Sequence, residues 1–240
     1  MQTNGVQALL MGGQACVFYG AAQVSKDVDF VLLASAANFA RLHAALDELQ
    51  ARRIAVPKFD PSVLERGHAV HFRCGAAGAE GMRVDVMTKL RDLADFEVLW
   101  ERRTTFQDDT GAEFNLLSVP DLVRAKKTQR SKDWPVIELL VNIHHRENAD
   151  APRSDWIEFW LLEARSPELI IGLAARFPAE TSVLQASRPL LATAMRQDIE
   201  ALRIELDAEV RAEQAKDRAY WEPLRREIET FRREERAEAS

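Results

Sequence analysis

The chain has 240 residues, 47% of them hydrophobic, enough for one sizeable core or two smaller ones. A net charge of −6 with 29% charged residues gives no broad basic footprint for nucleic acid, and no apolar run approaches the roughly 18 residues of a membrane span. Cys16 and Cys74 lack disulfide-framework or metal-ligand spacing and read as buried reduced thiols. No charged-then-apolar leader is visible, so a soluble cytoplasmic protein with no membrane partner is expected.

Taken in chain order, the apolar run Val6–Met11 predicts a strand that enters Gly12-Gly13. Gln14–Tyr19 is helix-compatible, and Gly20 ends it as glycines commonly do. Ser25-Lys26 then lead into Asp27-Val28-Asp29, the start of a second apolar run to Leu33. Read as a strand, this run puts Asp27 and Asp29 on one face, about 7 Å apart. Two carboxylates at that spacing suit a hard divalent cation that takes oxygen ligands, Mg²⁺ or Mn²⁺. The glycine pair lets backbone approach a phosphate closely, and Lys26 stands where a basic side chain can touch it. Glycine turn plus paired carboxylates is the chemistry of metal-dependent phosphoryl or nucleotidyl transfer.

Ala36–Gln50 carries Phe39, Leu42, Ala45, Leu46 and Leu49 at helical spacing. Ile54–Phe59 reads as a short irregular strand, limited by Pro57, and Pro61–Glu65 as one helical turn. Residues 69–74 and 82–88 form an antiparallel pair around the glycine-rich stretch 75–81. In the second of these, Val84 and Val86 face one way and Arg83, Asp85 and Met87 the other. A carboxylate in mid-strand is costly to bury alone, so Asp85 is explained by a metal shared with Asp27 and Asp29. Asp92–Arg103 reads as a helix, followed by short strands at 104–109 and 114–117.

Ser118 and Pro120 open a helix expected over Pro120–Asp133. Its inward stripe carries Leu122 and Val123, and at about 100° per residue Lys126, Arg130 and Asp133 fall on the same stripe, with Lys127 at its edge. Charges on a core-facing stripe are unusual and point to a polar site. The adjacent His144 and His145 diverge on a helix, and His68 and His71 split between strand faces, so all four read as surface or packing residues. Glu147–Ser154 is the best linker, dividing residues 1–148 from a helical C-terminal region, 149–240. There Asp155–Ala164, Pro167–Arg176 and a long Ala-, Glu- and Arg-rich stretch, 187–236, read as helices; Pro189 and Pro223 break the last, and the tail after Arg232 is expected to fray.

Gly12-Gly13, then Asp27-x-Asp29, then Asp85 in mid-strand resembles the nucleotidyltransferase superfamily typified by DNA polymerase beta. Within it, GVQALLMGGQACVFYG and LVRAKKTQRSKDWP are similar to the minimal nucleotidyltransferase-like proteins, including abortive-infection and toxin–antitoxin members. The likeness covers about residues 5–146, and this chain departs from it in having no serine in the glycine turn. It implies an α+β fold: a nucleotidyltransferase-like mixed β-sheet flanked by helices, followed by a helical C-terminal region. It implies that Asp27, Asp29 and Asp85 bind Mg²⁺ (or Mn²⁺) and carry catalysis. Gly12 and Gly13 would cradle the triphosphate, and Lys126 or Lys127 with Arg130 would meet phosphate or acceptor beside Asp133. The expected partners are a nucleoside triphosphate, an RNA or protein hydroxyl as acceptor, and a protein partner for the C-terminal helices. The alternative expectation is a non-catalytic nucleotide-binding or interaction module, antitoxin- or scaffold-like, on the same fold.

Overall fold

The computed structural model describes residues 1–238 and is α+β. The chain divides into two compact units. One comprises Met1–Phe18, Ala22–Ala125 and the residues from Ala219 on; the other comprises Tyr19–Ala21 and Lys126–Arg218.

The first unit is built on a sheet. Its strands are β1 (Ala8–Met11), β2 (Asp27–Leu32), β3 (Arg52–Arg53), β4 (Val70–Arg73), β5 (Arg83–Met87), β6 (Thr104–Gln107) and β7 (Glu113–Leu116). Among the described residues these seven form one sheet in the order β3-β4-β5-β2-β1-β7-β6. The sheet is mixed: β2 runs parallel to β5 and β1 to β7, while the other neighbours are antiparallel. Helices α1 (Gly12–Phe18), α2 (Ala36–Glu48), α3 (Pro61–Glu65) and α4 (Phe96–Glu101) lie between strands, and α5 (Val119–Ala125) follows the last one.

The apolar stripe of α2 dictates which sheet face is covered. Phe39, Leu42, Ala45 and Leu46 pack in one core with Leu32, Val70, Phe72, Val84 and Val86. Strand alternation then turns Asp27, Asp29, Arg83 and Asp85 to the opposite face. Helix α2 is fixed at its start by Ser35, whose side chain accepts from Asn38 N at 3.2 Å. The Asn38 side chain is itself buried, and its amide bonds to Gln7 N, Gln7 O and Leu33 O.

The second unit is helical: α6 (Trp134–Asn148), α7 (Ser154–Glu163), α8 (Pro167–Arg176), α9 (Pro178–Leu184), α10 (Leu190–Met195) and the first half of α11 (Ile199–Glu238). Trp160, Leu161, Ile170, Leu191 and Leu202 are fully buried in it. His144 belongs to this packing. Trp160 Nε1–H donates to its Nδ1 at 2.9 Å, with Trp156 and Phe159 edge-on around the ring.

Burial pushes the His144 pKa down from 6.5 to about 4; the charge of Asp155 opposes the shift, and Arg153 and His145 add to it. The unfolded chain therefore takes up this proton first. Stability is intact above pH 6.5 and is lost as pH falls from 6.5 to 4, by at most about 3 kcal/mol. His144→Gln, which keeps an acceptor for Trp160, is expected to flatten the pH dependence. Urea midpoints at pH 7 and pH 4.5 should separate further in the wild type than in the variant; equal separation would refute the assignment.

Four expectations are corrected. Ile54–Phe59 is not a strand: after Arg53 one further bond forms, from Ile54 N to His71 O at 3.0 Å, before Pro57, which has no N–H to pair. The helix expected over Asp92–Arg103 is only Phe96–Glu101. Pro223 lies inside α11 rather than ending it, with strong helix formers on both sides and an Arg226–Glu222 ion pair across it. The chain does not fray after Arg232 through Glu238, the last described residue. Glu227 Oε2 accepts from Arg66 Nε at 2.9 Å and lies 2.9 Å from His68 Nε2, Lys58 Nζ donates to Glu238 at 2.7 Å, and Arg53 pairs with Glu235. Among the described residues no helix is long and apolar enough to cross a membrane.

Candidate functional site

The register of β2 against β5 sets Asp29 opposite Asp85 and Asp27 opposite Arg83. In-register partners on neighbouring strands share a face, so Asp29 and Asp85 are side by side and Asp27 stands one step along. β5 lies between β4 and β2 and is not an edge strand. Asp85 is accordingly buried, while Asp27 and Asp29 are half-buried.

β1 brings the glycine turn to this face, because Met11 pairs with Asp29 and Gly12 follows at once. Gly12 has φ +66°, and a Cβ there would lie 1.9 Å from Asp29 Oδ2. Only a residue without a side chain lets backbone and carboxylate approach this closely. A Cβ on Gly13 would lie 2.4 Å from Ser25 Oγ. The loop before β2 is held by Ser25 Oγ donating to Asp27 O at 3.0 Å and by Gln14 Nε2 donating to Ser25 O at 3.1 Å. Lys26 is exposed on that loop.

Sequence reading gave no role to two residues that meet Asp85. Arg83 donates to both carboxylate oxygens, Nε to Oδ1 and Nη2 to Oδ2, each at 2.8 Å. His71 Nδ1 lies 2.9 Å from Asp85 Oδ1 and 3.1 Å from Arg83 Nη2. Burial works to raise the Asp85 pKa, but His71 and Arg83 outweigh it and hold the carboxyl below its ordinary value. The signal for both was present. Arg83 alternates with Asp85 on one strand, and counting back through the 75–81 turn sets His71 opposite Asp85.

The basic stretch after Ala125 belongs to the helical unit and is not the helix expected over Pro120–Asp133. α5 stops at Ala125, a 3-10 turn covers Ser131–Asp133, and the chain between wraps around the buried Asp133 carboxylate. Lys126 Nζ donates to Asp133 at 3.3 Å, Thr128 Oγ1 at 2.6 Å and Arg130 Nε at 2.7 Å. Burial raises the Asp133 pKa, yet the Thr128 hydrogen bond and the charges of Lys126 and Arg130 leave it below the usual carboxylate range. Lys127 is directed elsewhere, to Glu163 Oε1 at 2.7 Å. Lys126, Arg130 and Asp133 do converge, but on one another.

The fit of a metal rests on the donor set. Asp27, Asp29 and Asp85 offer only oxygen ligands, on one face of two adjacent strands, which suits Mg²⁺ or Mn²⁺. Among the described residues no three carboxylate, imidazole or thiol side chains are already gathered in ligand geometry. The Asp85 carboxylate is instead gripped by a cationic side chain, Arg83. The residues fit a divalent cation provided that grip is exchanged. Set against protein-family models and curated proteins, the chain matches none.

Proposed function

We propose that this chain is a metal-dependent nucleotidyltransferase of the DNA polymerase beta type, which moves a nucleoside monophosphate from a nucleoside triphosphate to a protein or RNA hydroxyl. One observation carries the reading: Asp29 and Asp85 stand in register, with Asp27 on the same face, against a glycine turn that tolerates no side chain beside Asp29. Asp27, Asp29 and Asp85 would hold Mg²⁺ or Mn²⁺, which when bound neutralises charge on the phosphates and makes an attacking hydroxyl more acidic. Gly12 and Gly13 keep side chains out of the space beside Asp29 and Ser25, and Lys26 offers an exposed positive charge on the loop before β2. Asp85 would bind the cation together with the two aspartates of β2. The acceptor class and the link to abortive-infection or toxin–antitoxin proteins come from the sequence resemblance. A cytoplasmic location accords with use of a nucleoside triphosphate, and the C-terminal helices are the surface offered to a protein partner.

A second reading is favoured by a different observation. Arg83 and His71 close the third carboxylate, as they would in a nucleotide-binding module that does no chemistry. One experiment separates the two: the protein is incubated with Mg²⁺, α-labelled nucleoside triphosphates, and RNA or protein acceptors. Transfer by the wild type that disappears in the Asp27→Ala/Asp29→Ala double variant is the expected result. Nucleotide binding by calorimetry without any transfer would favour the module, and transfer undiminished in the double variant would reject both.

A further inference from the structure

Arg83 is the strongest feature left unexplained by a metal site alone. It stands in register with Asp27 and two residues before Asp85, on the face that carries all three aspartates. Its fork closes on both Asp85 oxygens at 2.8 Å. The two partners differ in freedom: the Arg83 side chain is 35% exposed and that of Asp85 10%. The guanidinium is therefore the part that can leave. The hydrogen bonds to Asp85 raise the Arg83 pKa, burial opposes this, and the charges of Asp85, Asp27 and Asp29 add to it. The arginine thus feels every carboxylate in the cluster.

We propose that Arg83 is an exchangeable counter-ion: it occupies Asp85 in the empty protein and, when a divalent cation takes that carboxylate, moves to bind the phosphate chain of the incoming nucleotide. This inference rests on the nucleotidyltransferase reading of the same site. The physical argument has two halves. A guanidinium fork and a divalent cation compete for the same two oxygens, so Arg83 weakens metal binding in the absence of nucleotide. Once displaced, the guanidinium stands beside a dication and is stable there only with an anion. A phosphate presents the same paired oxygens as the carboxylate it replaces. Metal and nucleotide then bind cooperatively, each removing the obstacle to the other.

The test uses Mn²⁺ alone, read as loss of the free-ion electron paramagnetic resonance signal, and the α,β-methylene analogue of ATP, which binds without transfer. Wild type, Arg83→Gln, Arg83→Lys and Asp29→Ala full-length proteins are compared, with folding checked by circular dichroism. Arg83→Gln is expected to bind Mn²⁺ alone about tenfold more tightly than wild type and the analogue with Mn²⁺ about tenfold more weakly. Arg83→Lys, which keeps the charge but loses the fork, should fall between the two on both measurements. The opposed directions are the signature, because an arginine that merely braces Asp85 would move both affinities the same way. Equal Mn²⁺ affinity in wild type and Arg83→Gln, or weaker affinity in the variant, overturns the inference while leaving the metal site standing. No Mn²⁺ binding by any of the proteins, or wild-type binding by Asp29→Ala, overturns the site reading and the inference together.

Discussion

Replacing Glu209 with alanine is expected to destabilise the helical unit by about 3–5 kcal/mol, the cost of leaving buried charge without its partner. Two arginines depend on this one carboxylate. Arg188 has a side chain only 4% exposed and Arg165 one only 8% exposed. Arg188 donates Nε and Nη2 to the two oxygens of Glu209, at 3.1 and 3.0 Å, and also donates Nη1 to Leu161 O and Nη2 to Ala164 O. Arg165 Nη1 reaches Glu209 Oε2 at 2.8 Å, with its guanidinium over the ring of Trp134. Burial, and then the charge of Arg188, pushes the Arg165 pKa down; the Glu209 charge works against that fall. Without Glu209, the two arginines keep only the more distant charges of Glu163 and Glu213 against their mutual repulsion. Glu209→Gln should cost less, because the amide oxygen still accepts one bond. Glu200→Ala, on the exposed surface of the same helix, should change stability by less than about 0.5 kcal/mol. Urea unfolding of the three variants decides the matter, and a Glu209→Ala loss under about 1 kcal/mol would show that water replaces the carboxylate.

The two units differ in how far they are written locally. In the sheet unit, period and turn chemistry agree. β2 opens at the predicted Asp27, α3 has its predicted bounds, and alternation alone separates Val84 and Val86 from Arg83, Asp85 and Met87. The same alternation puts Asp27 and Asp29 on one face, and the cost of burying Asp85 alone points it to the same site, where the register of β2 against β5 sets it. What alternation does not supply is which neighbours a charged side chain prefers. Arg83 reads onto the face of Asp85 and His71 reads only as a surface or packing residue, and distances alone reveal that both hold Asp85.

The stretch after Ala125 fails for a different reason. No glycine interrupts 120–133, and the only proline sits where a helix tolerates it, so periodicity extends the helix to Asp133. The chain departs from the helix because a buried carboxylate gathers Lys126, Thr128 and Arg130, and because Gln129 N donates to Asp217, 88 residues away. Such a partner leaves no mark in the local pattern. Charges at helical spacing looked like the lining of a site, but a loop folded around its own counter-ion has the same residues at the same intervals.

Replacing Gly12 with alanine is expected to reduce nucleotidyl transfer by at least about 100-fold, since displacement of a reacting group by about 1 Å is enough for such a loss. The new Cβ would meet Asp29 Oδ2 at 1.9 Å, Cγ at 2.6 Å and its Cβ at 2.9 Å. It therefore meets the whole carboxylate and its root, not the far end of a flexible chain. Either Asp29 rotates away from Asp85 or the β1–α1 turn retreats from the strand. The positive φ of Gly12 adds a stability cost of about 1–2 kcal/mol for an L side chain. Gly13→Ala should do less, because its obstacle is not a metal ligand but Ser25, whose Oγ would lie 2.4 Å and Cβ 2.9 Å away, and Ser25→Gly in the same chain should restore what is lost. Transfer rates and Mn²⁺ affinity measured together separate the effects. Gly12→Ala should lose both while the protein remains folded, since Asp29 is a ligand in this reading and not a core residue. A folded Gly12→Ala protein with wild-type Mn²⁺ affinity would mean that Asp29 does not need its place beside the glycine turn, and the site as drawn would be wrong.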